Sequence, residues 1–172
     1  MIWKVIGILI LGIGGVGEVY EWIARNKSRQ KRLEELIVFL KKSRYAMEEE
    51  KVRWIPFFQT YESEDELVNE TLHQVGDYLE QHRYPYGEEA WKSVFLERKN
   101  EWNCKESCFQ VLMQMGSAFF GRSKQENGAF MERSIRQLEE CKQKEIERFA
   151  EEKKVWIPVS MLGGVMLVIL LL

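Results

Sequence analysis

Cys104 and Cys108 stand four residues apart, a spacing that sets two thiols on one face of a helix and could begin a metal site. The rest of such a site is missing. His73 and His82, the two histidines of the chain, are separated from these thiols and from each other, and no further ligand falls at a matching interval. A cysteine nucleophile needs a base within hydrogen-bond reach, and nothing in the spacing supplies one. With Cys141 the cysteines number three, an odd count without a dense framework, which reads as free packing thiols in a reducing compartment.

Other chemistry-bearing types fail in the same way. The acidic runs Glu48-Glu49-Glu50 and Glu139-Glu140 belong to solvated helical charge patterns, with Lys or Arg three and four residues away. Gly12, Gly14, Gly15 and Gly17 loosely resemble a dinucleotide loop, yet they lie inside an apolar segment with no strand before them. Close helix packing in a bilayer explains them better, and Gly163-Gly164 likewise. There is no Walker loop, nucleophile elbow or metalloprotease signature. The expectation is a protein that is not an enzyme, with no catalytic residue, metal, cofactor or small-molecule substrate. A net charge of −2 with interleaved signs gives no reason to invoke nucleic acid.

The elements that carry these residues are helical. Between Arg25 and Val155 the chain is rich in Glu, Lys, Arg and Gln, glycine is scarce, and no stretch alternates long enough for a strand. The fold class expected is all-α. Charged residues make up 30% of the chain, but apolar residues concentrate at the two ends. This partition predicts three parts: an N-terminal transmembrane anchor over 1–24, a cytoplasmic helical domain over 25–154 and a C-terminal transmembrane helix over 155–172.

The first anchor is apolar from Val5 to Val16 and, continued through Ile23, reaches roughly 28 Å. Tyr20 and Trp22 suit the headgroup level. The alternative is a cleaved signal peptide, with Lys4 as the positive start and Gly15-Val16-Gly17 as the cleavage site. Charge favours the anchor. Arg25, Lys27, Arg29, Lys31 and Arg32 form a run without acidic residues, which marks a cytoplasmic flank and would be hard to translocate. The last eighteen residues carry no charge, Trp156 sits at the interface and Lys153-Lys154 stands just before it. Both basic flanks place the intervening domain in the cytoplasm.

Within that domain Leu33, Leu36, Ile37 and Leu40 extend the first helix to about Met47. A turn at Trp54-Ile-Pro-Phe-Phe58 follows, because Pro56 disfavours helix at Ile55. Ser63-Glu-Asp-Glu66 reads as a capping box opening a helix with Leu67, Leu72, Val75, Tyr78 and Leu79 inward. Further helices follow Gly87 and span Lys105 to Ala118. Ser123-Lys-Gln-Glu126 reads as a second capping box, starting a long helix to Lys154. Its stripe of Met131, Ile135, Leu138 and Phe149, with Cys141 or Ile146, predicts coiled-coil-like pairing with the first long helix.

Three local motifs on this plan resemble one family. They are the hydrophobic anchor followed at once by the basic helix Arg25 to Leu40, the Gly87-Glu-Glu-Ala-Trp91 segment, and Gly121-Arg-Ser123 before a long charged helix ending in Leu162-Gly-Gly-Val-Met-Leu-Val-Ile-Leu-Leu-Leu172. Over its whole length the chain resembles the stage III sporulation protein AB family. Lys124 and Gly128 depart from the family pattern of Ser-Asp and a Gln a turn later, and Trp54-Ile-Pro56 replaces a Thr-Pro-Leu-like turn. The resemblance implies a helical soluble domain similar to the cytoplasmic domains of the type II secretion platform protein. It further implies a place in the mother-cell membrane around the forespore, within a channel assembly that includes a cytoplasmic secretion-type ATPase and other stage III membrane subunits. The function so implied is a non-catalytic platform that engages that ATPase. Motif-matched candidates for partner contact are Ala90, Trp91, Gly121, Arg122 and Ser123, although core packing for the first two and a turn with a cap for the others are the plainer roles. A small holin-like pore-former and a membrane enzyme using Cys104 or Cys108 are the competing classes.

Overall fold

A computed structural model describes residues 2–48, 52–120 and 124–171, with side chains described over 17–47, 52–120 and 126–163 and at 166 and 169. The described residues form eight helices and no strand: α1 (Ile2–Glu48), α2 (Trp54–Gln59), α3 (Glu66–Glu80), α4 (Gly87–Glu97), α5 (Lys99–Trp102), α6 (Glu106–Gln114), α7 (Gly116–Phe120) and α8 (Lys124–Leu171). The chain is all-α, as its composition predicts. Contacts divide it into two compact units, Arg29–Gln143 and the pair of terminal stretches Met1–Ser28 with Lys144–Leu172.

In the unit Arg29–Gln143, Leu33, Leu36, Ile37 and Leu40 of α1 are buried, and so are Met131, Ile135 and Leu138 of α8. The two helices run antiparallel, since Glu34 meets Lys142 at 3.2 Å, Lys41 meets Glu139 at 2.7 Å and Arg44 meets Glu132 at 3.7 Å. These exposed pairs are worth about 0–1 kcal/mol each, so the buried apolar stripe supplies most of the association. Ser134 and Ser43 complete the seam as small buried polar residues, Ser43 bonding back to the Phe39 carbonyl at 2.8 Å.

The rest of this unit closes on an aromatic core. Phe39 of α1 lies within 6 Å, ring to ring, of Phe57, Phe58, Tyr61 and Phe119. Trp91 stacks on Phe95 at 4.6 Å and on Phe119 at 5.3 Å, and Phe95 stacks on Trp102 at 5.2 Å. Gly116 is required by this packing, because a Cβ there would stand 2.9 Å from the Trp91 side chain. Gly76 serves α3 in the same way against Gln59, at 2.7 Å.

Several local expectations are corrected. Trp54-Ile-Pro-Phe-Phe58 is helical, not a turn, because Pro56 falls in the first turn of α2, where its missing N–H has no partner to lose. The cap of α3 is Asp65, whose carboxylate accepts from the Val68 amide at 3.3 Å; Ser63 instead donates to Glu35 at 2.5 Å. The expected helix from Lys105 to Ala118 breaks at Met115 into α6 and α7, and the short α5 precedes it, ended by Asn103 in the left-handed region (φ 43°). Ile146 is exposed at 36%, while its neighbour Glu145 is buried at 4%, so the stripe of α8 takes Glu145 in place of Ile146. The capping residue Ser123 lies outside the described residues.

In the terminal unit, Trp22 of α1 packs on Phe149 and Trp156 of α8, with ring centroids 5.1 and 6.4 Å apart. α8 continues as one helix to Leu171 with Pro158 inside it, and Ser160 donates to the Ile157 carbonyl at 3.0 Å beside that proline. Val155, Trp156, Val159, Met161, Leu162, Met166 and Ile169 are each more than half exposed. Among the described residues no helix is long and apolar enough to cross a membrane. The apolar run Val5 to Val16 and part of the C-terminal run lie outside the described side chains.

Candidate functional site

The basic run after the first apolar segment has two halves with different surroundings. Arg25 is exposed and reaches Glu21 one turn back at 3.8 Å, Lys27 is exposed, and Arg29 is half-buried. Lys31 and Arg32 instead hold the domain together. Lys31 pairs with Glu64 at 3.2 Å, and Arg32 donates to the Glu101 carbonyl at 2.7 Å while its Nε lies 3.5 Å from Asp65. Arg32 therefore ties α1 to the cap of α3 and to the chain at α5, a duty its sequence neighbourhood does not reveal. Lys153 and Lys154 are exposed.

A polar network joins α3 to α4. Arg98 donates to Gln74 at 2.8 Å and to Glu70 at 2.6 Å, and Gln74 donates to Glu97 and to the Tyr78 hydroxyl at 3.0 Å each. Tyr78 itself donates to Glu97 at 2.9 Å, Ser93 donates to the same carboxylate at 3.3 Å, and Tyr84 meets Ser93 at 2.6 Å. Arg83 covers the Tyr78 ring at 4.3 Å. Every strong donor here meets an acceptor, so the network ties α3 to α4. Sequence reading misses it, since Glu70, Gln74 and Tyr78 are one turn apart on one helix but Glu97 and Arg98 arrive only through the fold. From Trp54 to His82 the chain carries Glu62, Glu64, Asp65, Glu66, Glu70, Asp77 and Glu80 with no Lys or Arg, and Lys31, Arg32 and Arg98 from other elements pair with Glu64, Asp65 and Glu70.

The groups singled out for chemistry are dispersed. Cys104, Cys108 and Cys141 form no disulfide, Cys108 being buried and the others half-buried. His73 meets the Tyr61 carbonyl at 2.9 Å, and His82 takes a left-handed turn conformation after α3. Among the described residues no group of three or more His, Cys, Asp or Glu side chains is placed to hold a metal ion. Among the described residues two groups have clearly shifted titrations. Burial, reinforced by the Glu35 charge, pushes the Tyr61 hydroxyl up to about 12. Hydrogen bonds from Lys99 and Gln110, with the Lys99 charge, hold the exposed Glu106 below the ordinary carboxylate value.

The family model described as stage III sporulation protein AB matches residues 4–172. The chain belongs to the stage III sporulation protein AB family. That membership carries a role in stage III of sporulation. Comparison with curated proteins and with solved structures gave no match. In this member of the stage III sporulation protein AB family, the residues singled out by motif have different fates. Ala90 and Trp91 are core residues, 1% and 0% exposed, Trp91 being locked by its stacking and by a hydrogen bond to the Leu112 carbonyl. Gly121, Arg122 and Ser123 lie outside the described residues.

Proposed function

We propose that this stage III sporulation protein AB family member is a non-catalytic membrane platform subunit of the channel assembly between mother cell and forespore, anchored at both ends and engaging a cytoplasmic secretion-type ATPase and neighbouring membrane subunits. The carrying observation is the apolar surface of α8 from Val155 to Ile169, exposed along the helix directly after Lys153 and Lys154. Water is a poor solvent for so much contiguous apolar surface, and a bilayer is the environment that removes the cost. The uncharged stretch 155–172 is long enough, at about 27 Å, to reach across most of a hydrocarbon core, and 5–23 would do the same at the other end. The basic flanks support a reading with the helical domain 25–154 on the cytoplasmic face, where an ATPase would be met.

The reading of a platform without catalysis draws on the saturated polar network of α3 and α4 and on dispersed thiols and histidines. The exposed carboxylates Glu66, Asp77 and Glu80 of α3 are the groups we assign to the ATPase contact. Membrane anchoring is tested by alkaline carbonate extraction, from which the chain stays with the pellet; release into the supernatant overturns it. Sidedness is tested by thiol labelling, in which half-buried Cys104 and Cys141 stay unreacted with an impermeant reagent in intact cells. Deletion in an endospore-forming host is expected to block development after engulfment, and normal spore yield would sink the proposal. Co-purification of the ATPase, lost when Glu66, Asp77 and Glu80 are changed to Lys, tests the platform role.

A further inference from the structure

Two ring contacts set a level in the terminal unit. Trp22 of α1 lies 5.1 Å from Phe149 and 6.4 Å from Trp156 of α8, so the stretch of α8 between those two residues stands beside Trp22. Lys153 and Lys154 fall within that stretch, and both are exposed. On α1, Arg25 and Lys27 follow Trp22 within about 8 Å along the axis, also exposed, on the side away from the apolar end. The apolar surface of α8 begins at Val155, directly after Lys154.

These lysines differ from those of the unit Arg29–Gln143. There Lys31, Lys41, Lys92, Lys99 and Lys142 each meet a carboxylate within 3.2 Å. Among the described residues Lys27, Lys153 and Lys154 meet none. Of the carboxylates nearby, Glu21 is taken by Arg25 at 3.8 Å and Glu152 by Arg148 at 3.5 Å, while Glu151 stays exposed and Glu18 lies one turn to the apolar side of Trp22. Over 21–27 and 148–154 five cations stand against three carboxylates, an excess of two positive charges. The unit thus leaves its lysines without internal partners at the level where the helix surface turns apolar.

We propose that Lys27, Lys153 and Lys154 bind the headgroups of anionic phospholipids at the level of Trp22 and Trp156, an inference that rests on the membrane reading above. Tryptophans settle at the headgroup level of a bilayer, which brings these ammonium groups to the lipid phosphates. A zwitterionic lipid neutralises its own phosphate, whereas an anionic lipid carries an uncompensated charge. Each lysine near such a surface contributes about fivefold in affinity. A soluble anion would engage the lysines but leave Val155, Trp156 and Val159 exposed to water; a leaflet satisfies the charge and the adjoining apolar surface together.

The test uses the full chain in vesicles of phosphatidylcholine with a minor share of phosphatidylglycerol, and spin-labelled forms of the two lipids report which is held at the protein surface. Phosphatidylglycerol is expected to be held at least about threefold more strongly. Lys27→Gln with Lys153→Gln and Lys154→Gln is expected to bring the ratio close to one, and Arg at the same three positions to keep it. Lys41→Gln with Lys92→Gln and Lys105→Gln removes the same charge from the other unit and is expected to leave the ratio unchanged. A ratio near one in the native chain overturns the proposal, and so does an unchanged ratio in the first variant. Loss of the preference in the Arg variant or in the charge-matched control overturns it as well. Carbonate extraction separates the two readings: a pelleted chain with a ratio near one overturns the lipid contact alone, and release into the supernatant overturns both.

Discussion

Trp91 donates its indole N–H to the carbonyl of Leu112 at 2.8 Å, and so caps an oxygen in the last turn of α6 from the middle of α4. Carbonyls at a helix end lose their regular partners, and where α6 stops at Gln114 the Leu112 oxygen accepts the Met115 amide at 3.2 Å together with the indole. One side chain thus fills the aromatic core and adds a second donor at the end of a neighbouring helix. Trp91→Ala is expected to cost about 3–5 kcal/mol of stability. Trp91→Phe keeps the stacking on Phe95 and Phe119 and is expected to cost about 1 kcal/mol for the lost hydrogen bond. Denaturant unfolding of the full chain in micelles, followed by circular dichroism, ranks the two.

Gly116 and Gly128 are both helical and should respond with opposite sign to the same change. A Cβ at Gly116 would stand 2.9 Å from the Trp91 side chain, whereas none of the neighbours of Gly128 lies within 4 Å of one. Gly116→Ala is expected to destabilise by about 1–3 kcal/mol through overpacking. Gly128→Ala is expected to stabilise by about 0.5–1 kcal/mol, because alanine has less freedom to lose in a helix. Paired melting curves check the sign.

Asp65 and Ser63 separate the expected cap from the observed one. Asp65→Ala removes the acceptor for the Val68 amide and the partner of Arg32, with an expected loss of about 1 kcal/mol or more. Ser63→Ala removes the bond to Glu35 and leaves the cap in place, so the first turn of α3 should keep its amide protection. Hydrogen exchange at Val68 distinguishes them: fast exchange after the Asp65 change and slow exchange after the Ser63 change.

Tyr61 makes stability depend on alkaline pH. Its folded value is raised from 10.0 to about 12, so the folded state favours the protonated hydroxyl. The contribution is fully present below about pH 10 and is lost as pH rises toward 12. The hydroxyl oxygen is buried without a hydrogen-bond partner, so Tyr61→Phe should leave neutral-pH stability unchanged or slightly raised and flatten the decline above pH 10. Unfolding midpoints at pH 8, 10 and 11 for both proteins provide the measurement.

Much of the architecture was written in local pattern. The spacing of Leu33, Leu36, Ile37 and Leu40 and of Met131, Ile135 and Leu138 is a helical period that survives any arrangement of neighbours, and the pairing of the two long helices follows from burying both stripes. Trp54 to Gln59 and the break at Met115 were not legible in this way. Proline is judged by its place within a helix, and Gly116 by the ring that lies against it, and neither is a property of adjacent residues.

The partition at the two ends of the chain and the basic flanks are settled by composition alone, as is the all-helical class. The arrangement of the chemistry-bearing groups was decided by tertiary structure. Arg32 looks in sequence like one more charge in a topology signal, yet the fold spends it on Asp65 and the Glu101 carbonyl. Glu97 and Arg98 join Gln74 only because α4 packs on α3. The opening pair shows the same division. That Trp91 belongs in a core follows from its type and its place on α4. That its N–H reaches the end of α6 depends on a contact across twenty-one residues of chain, which no local rule encodes.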